Sequence, residues 1–539
     1  MLDRDLQQLA QSLPIVNRFI QALPGDHSGD DSSRQVFGAC YSDATPRAAS
    51  APLSVAYTPE VAQLLGLSQQ LCQTEAFSHV FSGKQLLPDM QPYAMCYGGH
   101  QFGHWAGQLG DGRAINLGEV NAGGELWTLQ LKGAGRTPYS RHADGLAVLR
   151  SSVREFLCSE AMHHLGIPTT RALSLVLTGD KVTRDMFYDG HPQQEPGAVV
   201  CRVARSFVRF GSFEIFAQRG EQALLKKLAD DTIEQNYPHL VEGQIDRDTY
   251  VRWFGEIVER SAHLLADWMR VGFVHGVMNT DNMSILGETI DYGPYGWLEG
   301  YDPNWTPNTT DAQGRRYSFG AQPNIGLWNL VRLANAIYPL IEEAQPLEEA
   351  LARYSEVFAQ RRSADMAAKL GFAHYKDKDG ELVEDLLRLL QQTETDMTIF
   401  YRNLANISPQ LLGSDICWEH LAPLHEAYYQ AVPDEVREQT CAWVQRYLQR
   451  TEQSLQSQGE SDVDRVARMK AVNPKYVLRN YLAQQAIEQA EQGDFGEVNR
   501  LLQLLRAPYD EQPEYERYAA KRPEWARVKA GCSMLSCSS

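Results

Sequence analysis

Hydrophobic and polar residues alternate along two stretches in the first quarter of the chain, at 114–117 and 126–132. Such alternation is typical of strands that bury one face. Two further apolar runs, at 172–177 and 198–203, stand on either side of a polar loop at 188–196 and predict another pair of strands. The first part of the chain is therefore predicted to contain a mixed β-sheet.

Apolar residues recur at the spacing of an α-helix through most of the remaining chain. In 145–165, apolar side chains at positions 149, 153, 156, 157 and 161 form one stripe. Further helices are predicted at 3–12, 59–65, 220–236 and 247–270, and over most of 326–505, with a polar break at 454–464 and a helix that starts at Asn473-Pro474. A strand-rich part followed by a helix-rich part predicts an α+β fold.

These patterns divide the chain into four segments. An N-terminal extension covers 1–90, a sheet-forming segment with a glycine-rich loop covers 91–205, and a helical segment covers 206–400. A helical C-terminal extension with a cysteine-containing tail covers 401–539. A stretch rich in Pro, Asn and Gly at 292–325 predicts a long loop, and loops of that length inside a compact domain are usually functional.

Composition narrows the class of protein. The 539 residues are 43% hydrophobic and 22% charged, as in ordinary globular domains, and the net charge of −18 argues against a nucleic-acid partner. The nine cysteines include no CxxC pair, which favours reduced thiols in a cytosol. No apolar run approaches the roughly 18 residues of a membrane span, and the N-terminus lacks the apolar core of a signal peptide. We therefore expect a cytoplasmic enzyme without a membrane partner.

The motif FVHGVMNTDNMSILGETIDYG, near the middle of the chain, carries the most specific chemistry. Protein kinases hold magnesium and a triphosphate with an H-R-D-x-x-x-x-N loop followed by a D-F-G triplet. The same spacing is present here as His275, Asn282 and the triplet that begins at Asp291, while Val277 stands where kinases have the catalytic Asp. A short strand is predicted at 283–286. The metal-binding half of such a site is thus predicted, and the base is missing from its usual place.

Upstream of this motif, glycines are concentrated at 97–114, ahead of the strand that ends in Lys132. Glycine lets backbone N–H groups approach a phosphate closely, and a strand lysine supplies a positive charge to it. In kinases this lysine pairs with a helix glutamate. Glu155 and Glu160 both lie on the predicted helix, and we favour Glu155 because it flanks the apolar stripe more closely. The glycines alone would equally fit a turn-rich region.

Two arginines near the second pair of strands are candidates for binding phosphate. Arg202 and Arg209 are seven residues apart, with Arg205 between them. A single arginine is usually a surface charge, whereas several among apolar residues near a phosphate site favour anion binding. The sequence leaves both interpretations open. Between the lysine strand and the helix, Asp144 and Gly145 are further candidates for phosphate or ribose contacts.

Five blocks together resemble the selenoprotein O family, also called YdiU/SelO. They are YGGHQFGHWAGQLGDGRA, LQLKGAGRTPYSR, DGLAVLRSSVREFL, HGVMNTDNMSILGETIDYGP and the C-terminal CSS. The resemblance runs from about residue 90 onward. It implies a protein-kinase-like bilobal fold, with a β-rich N-lobe and a helical C-lobe, that binds ATP in a reversed orientation. It further implies transfer of AMP to hydroxyl side chains of proteins, and for some members UMP transfer with manganese.

The resemblance also implies residue roles. Lys132 and Glu155 match the strand lysine and its helix partner, and Asp281 matches the proton acceptor. The implied nucleotide contacts are Gly110, Gly112, Arg113, Lys132, Asp144, Gly145, Arg202, Arg209 and Asp291. The implied ligands of Mg²⁺ or Mn²⁺ are Asn282 and Asp291. Cys537 is a candidate redox residue. The resemblance implies that it could pair with a cysteine in the long loop, but 292–325 contains none. Its alternatives are a disulfide with Cys532 or a mixed disulfide with another molecule.

Three functions are open at this point. The first is a protein nucleotidyltransferase that moves AMP from ATP to Ser, Thr or Tyr hydroxyls and releases pyrophosphate, or UMP from UTP. The second is a conventional phosphotransferase, against which Val277 at the base position counts. The third is a catalytically inactive scaffold, which would not need Lys132, Asn282 and Asp291 together. We favour the first, because a displaced base beside retained metal and phosphate ligands indicates altered chemistry.

Overall fold

The computed structural model describes residues 1–186 and 189–536. Its strands are β1 (Ile15–Val16), β2 (Gly25–Asp26), β3 (Tyr41–Asp43), β4 (Leu53–Tyr57), β5 (Tyr93–Met95), β6 (Gly98–Gln101), β7 (His104–Gln108), β8 (Ala114–Ala122), β9 (Glu125–Lys132), β10 (Arg171–Arg184), β11 (Gln193–Ala204), β12 (Phe273–Val274) and β13 (Gly296–Trp297).

The helices of the first two thirds of the chain are α1 (Leu2–Ser12), α2 (Arg18–Ala22), α3 (Pro59–Leu64), α4 (Gln69–Cys72), α5 (Glu75–Phe81), α6 (Leu149–His164), α7 (Phe210–Arg219), α8 (Gln222–Asn236), α9 (Arg247–Val271), α10 (Gln322–Ile341) and α11 (Gln345–Lys369). They are followed by α12 (Asp379–Gln392), α13 (Met397–Leu404), α14 (Ala422–His425), α15 (Asp434–Gln458), α16 (Asp462–Val472), α17 (Asn480–Glu491) and α18 (Gly496–Leu505). The fold is α+β, as predicted.

Most of the strands form one mixed sheet. Within the described residues it has nine strands, in the order β2-β3-β5-β8-β9-β11-β10-β4, with β1 added alongside β8. Neighbouring strands pair antiparallel, except that β2 and β3 run parallel. Four strands from 1–90 thus belong to the same sheet as the strands of 91–205. The division of the chain into four segments stays a prediction.

The predicted strands are confirmed as parts of β8, β9, β10 and β11. The last two are longer than predicted, because they continue as an antiparallel hairpin until Arg184 pairs with Gln193. Part of the loop expected at 188–196 is therefore strand. The first residue of that predicted loop, Tyr188, lies outside the described residues.

The predicted helices are present as α1, α3, α6, α8 and α9, although α6 begins only at Leu149. The region 326–505 is mainly helical, as expected, and the polar break within it is narrower than predicted, because α15 continues to Gln458. None of the described helices is long and apolar enough to cross a membrane.

The prediction of a helix that starts at Asn473-Pro474 is wrong, since α17 begins only at Asn480. The backbone N–H groups of Lys475 and Tyr476 instead donate to the Pro508 carbonyl at 2.8 and 3.1 Å. This contact with a distant part of the chain satisfies the groups that a first helical turn would leave free. The proline signal for a helix start is thus overridden by tertiary structure.

The prediction of a strand at 283–286 is also wrong, because only isolated β-bridges form there. The backbone of this segment pairs instead with the start of α7: the Phe210 N–H donates to the Met283 carbonyl at 2.9 Å, and the Ile285 N–H donates to the Val208 carbonyl at 3.0 Å. This pairing joins parts of the chain that local patterns do not connect. It places Arg209 beside the loop that carries the predicted catalytic motif.

The buried apolar residues form two clusters. The larger contains side chains from the nine-stranded sheet of the described residues, from α6 and α9, and from α17 and α18, which pack back against α6. The smaller is built mainly from α12 to α16. The predicted C-terminal extension therefore contributes to both hydrophobic cores.

Near the end of the chain, the backbone at Leu535 pairs with the predicted long loop at Asn308. The Leu535 N–H donates to the Pro307 carbonyl at 3.1 Å, and the Leu535 carbonyl accepts from the Thr309 N–H at 2.8 Å. Between Pro307 and Thr309, the Asn308 side chain donates to the Gly276 carbonyl at 3.0 Å. Because Leu535 is fully buried, this contact fixes the long loop against the loop of the predicted catalytic motif.

Candidate functional site

A cavity of about 440 Å³ opens between strands β8, β9 and β11 and the loop that contains the 3₁₀ turn Thr280–Asn282. Its volume is in the range of small-molecule and cofactor sites. The predicted site residues that line it are Gly110, Gly112, Arg113, Lys132, Arg202, Asp281, Asn282 and Asp291. Two others, Glu155 and Arg209, lie directly behind this lining and contact Lys132 and Asp291.

The glycine-rich loop passes tightly over Tyr139. Gly110 has a φ of +73°, and a Cβ there would lie 2.3 Å from Cγ of the Tyr139 ring. At Gly112 a Cβ would lie 2.8 Å from the Tyr139 carbonyl oxygen. Because neither position has room for a side chain, the loop presents backbone to the cavity, which is what close approach to a phosphate requires.

Lys132, the last residue of β9, forms a buried ion pair. Its Nζ lies 2.6 Å from Oε2 of Glu155, whereas Glu160 pairs with Arg171 at 2.6 Å. Of the two glutamates that the sequence left open, Glu155 is therefore the partner. Burial lowers the pKa of Lys132, and the nearby carboxylates oppose that change. The second oxygen of Glu155 lies 3.1 Å from Arg202.

Asp291 is surrounded by three cations. Its carboxylate pairs with the guanidinium groups of Arg202 and Arg209 and lies 3.4 Å from Nζ of Lys132. Burial alone would raise its pKa, but Arg209, Arg202 and Lys132 together hold the pKa of Asp291 well below its usual range. The two arginines are 2% and 1% exposed. They are therefore not surface charges, and they neutralise Asp291.

The backbone of Asp291 has a φ of +61°, a conformation that few residues other than glycine adopt. His275 helps to hold this geometry. Its Nε2 lies 3.0 Å from the carbonyl oxygen of Ile290, and its Nδ1 accepts the Val277 N–H at 3.4 Å. Burial lowers the pKa of His275, which favours the neutral ring that this pattern requires. His275 thus connects the loop at Val277 with the segment at Ile290 that leads into Asp291.

Asp281 lies on the 3₁₀ turn and is 8% exposed. The Gln101 amide donates to its Oδ2 at 3.2 Å, and its Oδ1 has no partner among the described residues. Burial raises the pKa of Asp281 to about 7, although Gln101 and Arg209 oppose the change. Gly99 leaves space for this carboxyl group, since a Cβ there would lie 2.8 Å from Oδ1. A buried carboxyl group of this kind is suited to accepting a proton near neutral pH.

The lining of the cavity includes oxygen donors for a divalent ion: the side chains of Asp281, Asn282 and Asp291. Among the described residues, no three His, Cys, Asp or Glu side chains form a ready-made metal cluster. Asn282 is oriented by its Nδ2, which donates to the Val277 carbonyl at 2.9 Å, and Asp281 has a buried oxygen without a partner. Mg²⁺ commonly binds through one or two carboxylates together with substrate phosphates. Asn282 and Asp291 therefore fit Mg²⁺ or Mn²⁺ as part of a nucleotide complex.

Two predicted residues, Asp144 and Gly145, are found elsewhere, and a third is not among the described residues. Asp144 pairs with Arg184 at 2.7 Å, and Gly145 accepts the Gly135 N–H at 3.1 Å. Neither residue lines the cavity, so their nucleotide contacts stay predictions that rest on the resemblance. The redox candidate Cys537 lies outside the described residues.

Asp111 and Gln101 also belong to the site and were missed in the sequence. Asp111, which is 2% exposed, has a carboxylate oxygen 4.0 Å from Arg209 and accepts the Met95 N–H at 3.0 Å. Gln101 contacts the proposed proton acceptor. The available signal for Asp111 was its position between two glycines of the loop; for Gln101 the sequence offered no signal beyond its place in the glycine-rich stretch.

Comparison with known proteins agrees with the resemblance. A family model described as "Protein adenylyltransferase SelO" matches residues 32–506. A "Protein nucleotidyltransferase YdiU" from Aromatoleum aromaticum is 57% identical over 535 residues, which cover 98% of this chain and 100% of that protein. Proteins of the same name from Rhodopirellula baltica and Xanthomonas campestris are 57% and 55% identical, over 97% of this chain in each case and 98% and 99% of their own lengths. The chain described here belongs to the SelO family.

Proposed function

We propose that this protein transfers AMP from ATP to Ser, Thr or Tyr hydroxyls of other proteins and releases pyrophosphate, with Mg²⁺ or Mn²⁺ as cofactor, and that UTP can replace ATP. The names of the family and of its relatives support nucleotidyl transfer. The observation that carries the proposal is the group of three cations around Asp291. The same cavity contains the buried carboxyl group of Asp281, whereas Val277 stands at the kinase base position.

We also propose that the fold is a protein-kinase-like bilobal fold, with the sheet as N-lobe and the helices from α7 onward as the core of the C-lobe. Two features support this assignment. The lysine at the end of β9 pairs with a glutamate on α6, and the loop order His275, Asn282, Asp291 follows the kinase pattern. The cavity lies between the sheet and this loop.

In AMP transfer, the hydroxyl oxygen bonds to the α-phosphorus while the bond from that phosphorus to the bridging oxygen breaks. Negative charge then develops on the departing pyrophosphate. Lys132, Arg202 and Arg209 supply buried positive charge for it, and such fixed charges are worth more in a dry site than in water. Because these cations neutralise Asp291 in the free protein, phosphate binding replaces one anion by another and leaves no buried cation unpaired.

Asp281 is the acceptor of the hydroxyl proton in this proposal. Its unpartnered Oδ1 and its pKa of about 7 fit that role. Gln101 positions the carboxylate through Oδ2. A divalent ion held by Asn282 and Asp291 would neutralise charge on the phosphate oxygens when it is bound.

The test uses ATP labelled at either the α- or the γ-phosphorus, incubated with the protein, Mg²⁺ and a cell lysate. We expect label to enter protein from α-labelled ATP alone, and to be lost when EDTA removes the metal. Transfer of the γ-label alone would establish a phosphotransferase. No transfer from either sample, with ATP binding still detected by calorimetry, would establish the scaffold.

A smaller effect is expected from Gly110→Ala. The new Cβ would be strained at a positive φ and would clash with the Tyr139 ring, so the loop or the ring must move. We expect the free energy of unfolding to fall by about 1–2 kcal/mol and AMP transfer to fall by about tenfold or more, because a displaced loop misplaces the phosphates. Urea titration and initial rates measure the two effects.

Gly107→Ala is the matched control for this substitution. Gly107 has a similar φ of +74°, but a Cβ there meets nothing within 4 Å. It should therefore share the backbone strain and keep AMP transfer. Equal losses of transfer in the two variants would contradict the role assigned to the contact between Gly110 and Tyr139.

A further inference from the structure

A surface depression of about 770 Å³ lies in the helical C-terminal part of the chain, between 413–418 and one face of α15. Cys417 and Cys441 both line it. Cys417 is exposed and Cys441 is partly exposed, whereas the other cysteines in the described part of the chain are buried: Cys40, Cys72, Cys96, Cys158, Cys201 and Cys532. Within the described ranges, these are the two cysteines that reach solvent, and both line the same depression.

Cys417 has a basic side chain within reach of its sulfur. Its Sγ lies 3.3 Å from Nδ1 of His420, and the Cys417 backbone N–H donates to the same nitrogen at 3.2 Å. The lone pair of Nδ1 therefore faces Cys417, where it can accept the thiol proton. A cysteine beside a histidine is the usual arrangement for generating a reactive thiolate.

The rest of the lining carries charges of both signs. Arg437 and Glu438 lie next to each other on α15. Arg437 pairs with Asp434 at 3.1 Å through one terminal nitrogen, and its buried Nε has no hydrogen-bond partner among the described residues. A ligand with both carboxylate and ammonium groups would match this pair of charges.

We propose that Cys417 and Cys441 form a thiol–disulfide exchange site for a small zwitterionic disulfide, R–S–S–R. His420 takes the Cys417 proton, and the thiolate attacks one sulfur of the ligand. The ligand S–S bond breaks, a mixed disulfide forms on Cys417, and the departing thiolate takes up the proton. Cys441 then loses its proton to solvent and attacks Sγ of Cys417, which releases the second thiolate. Two protein thiols are oxidised and one disulfide is reduced to two molecules of R–SH.

Oxidised glutathione is the probe, and the protein is the full chain with Cys537→Ser, so that this thiol gives no signal. After incubation, peptide mapping by mass spectrometry should find 417 and 441 joined by a disulfide that dithiothreitol reverses. With Cys441→Ser added, the reaction should stop at one glutathione on Cys417. With Cys417→Ser added, neither product should form. Cys72→Ser is the control, because its buried thiol should leave the products unchanged.

The histidine is tested separately by the rate of alkylation of Cys417 with iodoacetamide. His420→Asn keeps a polar side chain but removes the base, and we expect the rate to fall by about tenfold or more. An unchanged rate would overturn the role of His420. Absence of the glutathione adduct from Cys417 in the Cys441→Ser protein would overturn the site itself, and an adduct on Cys417 without any cross-link in the starting protein would overturn the role of Cys441.

Discussion

Asp291→Ala is expected to abolish AMP transfer while keeping, or even improving, the binding of ATP in the absence of metal. The substitution removes a proposed metal ligand, and metal charge stabilisation of several kcal/mol corresponds to a loss of about 10³–10⁴-fold or more. It also removes the carboxylate that occupies Lys132, Arg202 and Arg209 in the free protein. These cations are then free to hold phosphates. Initial rates and calorimetric titration of ATP in EDTA measure the two effects.

The same variant should be unstable without a ligand. Three buried cations lose their shared partner, and removing one side of a buried ion pair typically costs about 3–5 kcal/mol. Because pyrophosphate can replace the missing anion, we expect it to restore much of the lost stability in a thermal melt. A variant that is equally unstable with and without pyrophosphate would contradict the assignment of these cations to phosphate binding.

Asp267→Ala is the matched control. Asp267 is also a buried aspartate, 5% exposed, and pairs with Arg361 at 2.8 Å and with Arg270 at 3.6 Å. It does not line the cavity. Its loss should lower stability without rescue by pyrophosphate, and the folded fraction should keep the starting rate of transfer.

Asp281→Asn is expected to lower the rate of AMP transfer by about 10²–10⁴-fold, the usual contribution of a general base. The affinity for ATP should change little, because the contact of Asp281 with Arg209 is made by its backbone carbonyl, which asparagine keeps. The variant should also be more stable than the starting protein. Since burial raises the pKa of Asp281 to about 7, the folded state binds its proton more tightly than the unfolded state does.

The sign of the stability effect follows from that difference. A carboxyl group with a raised pKa lowers the free energy of unfolding as the pH rises from about 4 to about 7, and above pH 7 the loss is complete. Asparagine carries no such charge. In metal-free buffer at pH 8 we therefore expect Asp281→Asn to unfold with a free energy higher by something on the order of 1–3 kcal/mol. A less stable variant would indicate that Asp281 has a structural role instead.

Glu288→Gln is the matched control for Asp281→Asn. It tests whether a loss of transfer comes from removing any buried carboxyl group or from removing the one in the cavity. Burial raises the pKa of Glu288 to about 7 as well, but this residue does not line the cavity. Its substitution should give a similar gain in stability above pH 7 and leave transfer unchanged. If both variants lost transfer to the same degree, the loss could not be assigned to a base at Asp281.

The elements that the sequence predicted well have strong local periodicity. The alternating run before Lys132 and the apolar stripe around Glu155 were sufficient to expect a strand and a helix. That the two residues meet was expected from the lysine–glutamate pair of kinases. The spacing of His275, Asn282 and Asp291 was informative because one continuous loop system carries all three. The side chains that meet in the structure through these elements could therefore be named in advance.

What the sequence did not reveal depends on contacts between distant parts of the chain. The strands β1 to β4 are two to five residues long, too short for a periodic signal, and their pairing with the sheet was not expected. The position of Arg209 depends on its backbone neighbours around Met283. Asp111 lines the cavity between two glycines of the loop, but its approach to Arg209 joins distant parts of the chain. Such placements follow from tertiary packing, which local patterns do not encode.

The contact between Leu535 and the long loop has a consequence for protein synthesis. The Thr309 hydroxyl and its partner, the Leu535 carbonyl, are separated by 226 residues, which take roughly 10–45 s to translate. During that interval the loop has been made, but the strand-like partner that fixes it has not. We therefore expect a nascent or prematurely terminated chain to lack the support that Leu535 gives to Asn308, and through it to the Gly276 loop, until almost the whole described chain has been made.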